Sequence, residues 1–247
     1  MTCATGEDQE INDFKKRMGK STAPGLPKFD PNRGVHATQS IEILQQLPEV
    51  SGPGWKLKKR VTGVSENKSG VIVENETLLV DPNGTPYAKL YSSSFNLGAK
   101  ALGQKFTKRI AAAPPAKDIP KDRGADWIVK DQTTPEQAIL YRLSDPAIGQ
   151  AAGFGGVILH GLSTFGFAAR AVISAVGGGD PNSLKYFGVR FTSPVKPGDE
   201  LETSMWEVGS GPNGTTEIAF VTKDLVTGKI CLGAGVAYVK KVEKSKL

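Results

Sequence analysis

Residues 153–170 read Gly-Phe-Gly-Gly-Val-Ile-Leu-His-Gly-Leu-Ser-Thr-Phe-Gly-Phe-Ala-Ala-Arg, and this stretch decides the fold. Glycines and a short apolar run lead into His160-Gly161, and a helical pattern follows at once. Apolar residues recur mostly at steps of three and four, which places on one helix face Leu162, Phe165, Ala169, Val172, Ile173 and Val176. Gly177-Gly178-Gly179 then ends the helix. The pattern predicts a buried central helix, either simply the core of an α+β domain or one whose N-terminal amides also bind a ligand oxygen.

Composition excludes several classes of protein. The chain has 247 residues, 38% of them hydrophobic, enough for one large or two small domains. No apolar run has membrane-spanning length, so we expect a soluble protein without a membrane span. Two cysteines, Cys3 and Cys231, and two histidines argue against a disulfide framework and a zinc site. The net charge is +6, but the sequence contains no basic block interleaved with aromatic residues. This argues against a nucleic-acid-binding surface.

The whole chain divides into four segments by composition and by its pattern of apolar and turn residues. Residues 1–34 are polar and predicted to be disordered, and residues 107–126 are predicted to be a linker rich in Ala, Pro and charged residues. Alternation and turn residues predict strands at 55–64, 70–80, 85–97, 185–191, 201–208, 216–223 and 229–240. The four segments are therefore 1–34, 35–106, 107–126 and 127–247.

The strands of the two larger segments follow the same rhythm. Each has strand, turn, strand, Asp-led turn and strand at similar spacing, which suggests a duplicated unit of a sheet wrapped around a helix. In the last strand, strict alternation predicts that small residues face the helix. These are Cys231, Gly233, Gly235 and Ala237.

The chain resembles the MaoC-like, hydratase-2 type of (3R)-specific enoyl-CoA hydratases, in their peroxisomal double hot-dog form. The resemblance is carried by Ala-Ile-Leu-Tyr-Arg-Leu-Ser at 138–144 and by the string Ile-Leu-His-Gly-Leu-Ser-Thr-Phe-Gly-Phe at 158–167. Val-Arg-Phe at 189–191, Pro-Val-Lys-Pro-Gly at 194–198 and Trp206 also match. The resemblance implies a double hot-dog fold of the α+β class, in which an antiparallel sheet wraps around a long central helix.

The same resemblance implies a site and a chemistry. A fatty enoyl-CoA thioester lies across both halves, and the amide of Gly161 polarises its carbonyl oxygen. His36, Lys68 and Phe191 match positions that contact the substrate, with the N-terminal half on the acyl side. No metal or separate cofactor is implied, because CoA is part of the substrate. Three of these residues have a plainer interpretation: Gly161 as a tight helix entry, Phe191 as core, and Lys68 as a solvated turn lysine with Asn67 as an alternative contact.

The sequence departs from the family where the catalytic acid and base belong. The family has Gly-Asp-x-Asn-Pro-Leu-His after Tyr-Arg-Leu-Ser, whereas here Ser144 runs directly into Asp145-Pro146. The catalytic Asp and His are therefore absent as a block. We interpret Asp145 as the downstream, non-catalytic Asp at a turn or helix cap, and His160 as a structural histidine.

A second departure lies upstream of His36. The family pattern places a strand and a central helix there, and residues 1–34 carry no comparable apolar helix. We therefore expect an incomplete N-terminal half with one sheet face short of a packing partner. The two departures fit either an incomplete gene model or splice form, or a diverged relative that has lost catalysis.

The resemblance favours a hydro-lyase, a 2-enoyl-CoA hydratase/(3R)-3-hydroxyacyl-CoA dehydratase of lipid metabolism. The alternative is a catalytically impaired acyl-CoA-binding or partner subunit on the same scaffold. A thioesterase is disfavoured because 162–176 has no Asp or Glu. The final tripeptide, Ser245-Lys246-Leu247, predicts recognition by the peroxisomal import receptor and a peroxisomal location. Hot-dog units pair their sheets, either between two chains of a homodimer or within one chain.

Overall fold

The computed structural model describes residues 26, 29–30, 33–100, 109–141 and 156–242. Within these residues there are nine strands: β1 (Gly34–Ile43), β2 (Lys56–Asn67), β3 (Gly70–Val80), β4 (Pro86–Leu97), β5 (Trp127–Gln132), β6 (Leu184–Phe191), β7 (Glu200–Ser210), β8 (Thr216–Asp224) and β9 (Ile230–Val239). The helix α1 spans Gly161–Ala175, and short 3₁₀ turns lie at Pro135–Tyr141, Pro181–Ser183 and Pro212–Gly214. No helix among these residues has the length and hydropathy to span a bilayer.

All nine strands form one antiparallel sheet in the order β2-β3-β4-β1-β6-β9-β8-β7-β5. The pairing of β1 with β6 lies in the middle, where Ile41 is opposite Phe187. Outward from this pair, each half runs through its first, fourth, third and second strand, and β5 adds an outer strand to the second half. The predicted duplication of a sheet unit is therefore confirmed. Apart from Gly34 at the start of β1, β1–β4 lie in the predicted segment 35–106 and β5–β9 in 127–247, although the boundaries themselves stay a prediction.

The helix α1 packs on the second half of the sheet through its smallest residues. Ala168, Ala171 and Val172 are at most 1% exposed, whereas most of the predicted apolar stripe, including Leu162 and Ile173, is only half-buried. The face in closest contact is therefore rotated from the predicted one. Short side chains allow the helix and sheet to approach closely, and the larger residues fill the flanks of that contact. Phe165, for example, meets Phe187 edge to face at 4.7 Å between ring centroids.

The prediction for the two faces of β9 is confirmed for Ala237, which reaches the core, and wrong for Leu232, which also reaches it although the alternation places it on the other face. Ala234 has φ of 48°, and the register of β9 against β6 and β8 shifts around this residue. Because the irregularity adds a residue, Leu232 and Ala237 both reach the core although they are five positions apart. A side chain at Gly235 would lie 2.3 Å from the carbonyl oxygen of Phe220, so the chain needs glycine there.

The first half of the sheet has a more polar inner face. The register aligns Gln39, Ser92 and Asn75 in one row across β1, β4 and β3, on the face where Ile41 meets the core. Toward the end of the same face, Val71 and Val73 pack with Leu26 and Phe29, among others. The described part of this half contains no helix, and its polar row has less need of an apolar partner. The predicted disorder of 1–34 lies outside the described residues, apart from residues 26, 29–30 and 33–34.

Two buried carboxyl groups meet where β7 and β8 join their loops. Asp199 is 8% exposed and accepts a hydrogen bond from the amide of Lys196, at 2.9 Å. Its carboxyl lies within hydrogen-bonding reach of Asp224, which is fully buried and accepts from the amides of Val226 and Thr227. Burial, followed by the nearby Asp224, raises the pKa of Asp199 above its ordinary value.

A raised pKa in the folded state makes Asp199 a source of pH-dependent instability. The native state binds its proton more tightly than the unfolded chain, so stability falls as pH rises from about 4 through the folded pKa. We expect Asp199→Asn to gain stability over the wild type at pH 7, with the difference shrinking toward pH 3.5. Urea unfolding between these pH values measures it. The exposed Asp118→Asn serves as control, and parallel curves for wild type and Asp199→Asn would contradict the assignment.

Candidate functional site

The N-terminus of α1 lies at the end of a segment tied to the sheet. The amide of Leu159 bonds to the carbonyl of Val195 at 2.8 Å, and His160 then adopts an extended conformation as the N-cap. The Nδ1 atom of His160 accepts the amide proton of Leu162 at 3.0 Å, and its carbonyl accepts from Ser163 at 2.8 Å. The Gly161 amide has no hydrogen-bond partner among the described residues. This amide is therefore available to an oxygen placed at the helix end.

Gly161 lies directly against the ring of Phe191. A β-carbon on Gly161 would be 2.9 Å from the Cε1 atom of Phe191, closer than real side chains approach. Phe191 ends β6 on the face where Phe187 and Val189 enter the core, and it is half-buried. The aromatic ring thus forms a wall beside the Gly161 amide, and only glycine leaves room for both.

A β-bulge in β1 brings His36 to the same place. The register shifts between His36 and Thr38, because His36 is opposite Ser94 while Thr38 is opposite Ser93. Ala37 is the extra residue, and it turns His36 onto the inner face instead of the outer one. The His36 ring lies 4.7 Å from that of Phe191 and 6.5 Å from that of His160, measured between centroids.

Both histidines have lowered pKa values, which favours their neutral form. Burial lowers the pKa of His160 below 6.5. Burial also lowers the pKa of His36, assisted by the charge that His160 would carry and opposed by hydrogen bonds with Gln39 and Thr38. The Nε2 atom of His36 lies 3.1 Å from Oε1 of Gln39. Two neutral imidazoles around an aromatic ring suit an acyl group better than a phosphate group.

Lys68 lies apart from this cluster, in the turn between β2 and β3. The side chain of Asn67 closes that turn by accepting from the amides of Ser69 and Gly70. The turn is at the same end of the sheet as His36, since Gly70 is opposite Leu97 and Gly34 is opposite Asn96. Strand spacing and rise place Lys68 roughly 15–20 Å from His36. The structure therefore brings together Gly161, Phe191 and His36. Lys68 lies at the same end of the sheet but outside this cluster.

Several predicted features lie outside the described residues. These are Asp145 and its neighbours, where the catalytic block is missing, and the final tripeptide Ser245-Lys246-Leu247. Within the described ranges, no group of three or more His, Cys, Asp or Glu side chains is placed to hold a metal ion. Sequence reasoning missed the role of His160 as a helix cap, which its position just before Gly161 could have indicated.

Comparisons with known proteins agree on one family. Residues 120–230 match the family described as MaoC like domain. The chain is 32% identical over 230 residues to the probable enoyl-CoA hydratase 2 of Dictyostelium discoideum, covering 89% of this chain and 74% of the relative. It is 34% identical over 222 residues to the peroxisomal multifunctional enzyme type 2 of Drosophila melanogaster, covering 84% of this chain. It spans only 36% of that longer protein.

Solved structures show the same architecture. A MaoC-like dehydratase from Phytophthora capsici aligns with a TM-score of 0.77 and 32% identity, over 92% of this chain and 76% of that one. A Mycobacterium tuberculosis protein described as having a double hot-dog fold aligns with a TM-score of 0.55 at 12% identity, over 84% of this chain and 75% of that one. The second likeness concerns the fold alone, and together they confirm the predicted double hot-dog.

The contact between Gly161 and Phe191 gives a test of the site geometry. We expect Gly161→Ala to destabilise the protein by about 1–3 kcal/mol, because the added methyl group must displace the ring. Adding Phe191→Leu to that variant should recover part of the loss by making room. Thermal or urea unfolding of the single and double variants measures both effects.

Gly166 provides a matched control on the same helix. A β-carbon there would have nothing within 4 Å, so Gly166→Ala should stabilise α1 by about 0.5–1 kcal/mol. If Gly161→Ala behaves like Gly166→Ala, the ring does not lie against Gly161 as described.

Proposed function

Because this chain belongs to the MaoC-like dehydratase family, we propose that it binds 2-enoyl-CoA thioesters and catalyses the reversible addition of water that gives (3R)-3-hydroxyacyl-CoA. The observation that carries the proposal is the Gly161 amide at the N-terminus of α1, with Phe191 and His36 beside it. The named relatives that are hydratases support the same class of reaction for this chain.

The helix end suits the charge that develops in this reaction. As a water oxygen bonds to C3, the electrons of the C2–C3 double bond move toward the thioester, whose oxygen becomes an enolate. A proton then adds to C2, while the water gives up one of its own protons. The Gly161 amide and the positive end of α1 stabilise the enolate oxygen most when it is most charged, which lowers the barrier.

The surroundings of Gly161 fit the two ends of such a substrate. The ring of Phe191 and the neutral His36 offer an uncharged wall for the thioester and the first acyl carbons. We infer that Lys68, in a turn at the same end of the sheet, contacts a CoA phosphate group, since an extended pantetheine arm covers a distance of that order. CoA enters as part of the substrate, and the proposal requires no other cofactor.

The missing block favours a second candidate function. The family pattern supplies the acid and base from Gly-Asp-x-Asn-Pro-Leu-His, and this sequence continues from Ser144 directly to Asp145-Pro146. A chain that keeps the enolate-stabilising amide and lacks the acid and base would bind acyl-CoA and turn it over slowly or not at all. The second candidate is therefore an acyl-CoA-binding or partner subunit.

Hydration of crotonyl-CoA, followed as loss of the conjugated thioester absorbance, separates the two functions. We expect the wild-type protein to be stabilised by the ligand. Its turnover should rise by roughly 10²–10⁴-fold when the missing block is inserted between Ser144 and Asp145, because general acid–base catalysis contributes about that much. Asp145→Asn is the control and should leave the wild-type rate unchanged.

Each result decides between the candidates. Binding without turnover in the wild type supports the partner subunit. Fast wild-type turnover that Asp145→Asn abolishes would show that our interpretation of Asp145 is wrong. Absence of both binding and turnover would contradict both functions, provided that circular dichroism shows the protein folded.

A peroxisomal location completes the proposal. The tripeptide Ser245-Lys246-Leu247 supports it, as do relatives whose names include that compartment. We expect a fluorescent protein fused to the N-terminus to reach peroxisomes, and removal of these three residues to leave it in the cytosol. Lys244→Ala is the control outside the tripeptide. Import that persists after the removal would contradict this route.

A further inference from the structure

We propose that His160 is a positioning residue: its neutral imidazole caps α1 so that the Gly161 amide remains the one helix-end donor for the thioester oxygen. The inference rests on the proposed function, since it assigns a task within the same site. It begins with the hydrogen bond from the Leu162 amide to Nδ1 of His160, at 3.0 Å.

His160 accepts hydrogen bonds from two of the first amides of the helix. The side chain of His160 takes the amide of Leu162, and its carbonyl takes the amide of Ser163 at 2.8 Å. The amide of Gly161 has no partner in the part of the chain that the structure describes. Since a helix start leaves several amides unpaired, the cap removes competing donors and directs the helix end through Gly161.

The identity of the cap matters as well as its presence. Ser, Thr, Asn and Asp are the ordinary N-cap residues, and a carboxylate cap stabilises a helix most simply. A carboxylate here would put a negative charge one residue from the amide that must stabilise an enolate. Histidine accepts the same hydrogen bond while staying uncharged, because Nδ1 keeps its lone pair and the proton lies on Nε2.

The neighbours of His160 keep it in this form and place. Among the described residues, His36 is a titratable group that faces it from β1, at 6.5 Å between ring centroids, and Phe191 lies against both His36 and Gly161. A second positive charge in this space is unfavourable, and burial adds to that effect. The cap therefore stays a neutral acceptor.

Three substitutions separate capping from charge. His160→Asn keeps a neutral acceptor, His160→Asp keeps the acceptor and adds a charge, and His160→Ala removes the acceptor. Acetoacetyl-CoA is a suitable probe, because its enolate form carries the charge that the site must stabilise and absorbs in the ultraviolet. For each protein, calorimetry gives the dissociation constant, absorbance gives the enolate fraction of the bound ligand, and thermal unfolding gives stability without ligand.

We expect His160→Asn to bind within about threefold of the wild type, and His160→Ala to bind roughly tenfold more weakly, in line with the loss of a cap. His160→Asp should be as stable as His160→Asn, yet bind at least about tenfold more weakly and show a smaller enolate fraction. A purely structural cap would not produce this difference between Asn and Asp.

The outcomes distinguish this proposal from the proposed function. If the wild type binds acetoacetyl-CoA and His160→Ala or His160→Asp matches it in affinity and enolate fraction, the positioning role is wrong and the function stands. If the folded wild type does not bind the probe, the proposed function fails and the positioning role fails with it. Should His160→Ala not fold, the comparison of Asn with Asp still decides.

Discussion

The pairing of β1 with β6 holds the candidate site together, because each strand delivers a different part of it. β1 carries His36 from the first half of the sheet, and β6 carries Phe191 from the second half. The N-terminus of α1 meets them through Gly161. Loss of this pairing would separate His36 from the other two residues, even if each half kept its own structure. The site is thus a property of the duplicated fold and not of one half.

The inner faces of the two halves of the sheet differ in polarity. In the second half, apolar side chains such as Phe187 and Phe220 need cover, and α1 provides it with small residues that come close. In the first half, the row of Gln39, Ser92 and Asn75 is polar at the corresponding place. A polar inner face has less to gain from an apolar helix. This explains why the described first half maintains four paired strands without a helix of its own.

Local patterns predicted most of the fold because the strands and α1 follow ordinary periodicities. The turns after Asn67 and Asp81, for instance, contain residues that close turns through their side chains. The features that could not be predicted include the bulge at Ala37 and the irregularity at Ala234. Neither residue carries a turn signal, and a single extra residue reverses which face the neighbouring side chains occupy. The position of His36 depends on the first of them. His36 could therefore be identified as a candidate residue from the sequence, but its position in the fold could not be predicted.

The division between backbone and side-chain chemistry explains how this sequence departs from its family. The proposed oxyanion contact is made by a backbone amide, whose surroundings are set by α1, by the absence of a side chain at Gly161 and by the cap at His160. These features are built into the packing of the core, so they persist as long as the protein folds. The block that the family pattern places after Ser144 is absent from this sequence, and α1 packs on the sheet without it. Under the proposed function, the electrostatic contribution therefore depends on the packing of α1, whereas proton transfer depends on residues that the family pattern places after Ser144.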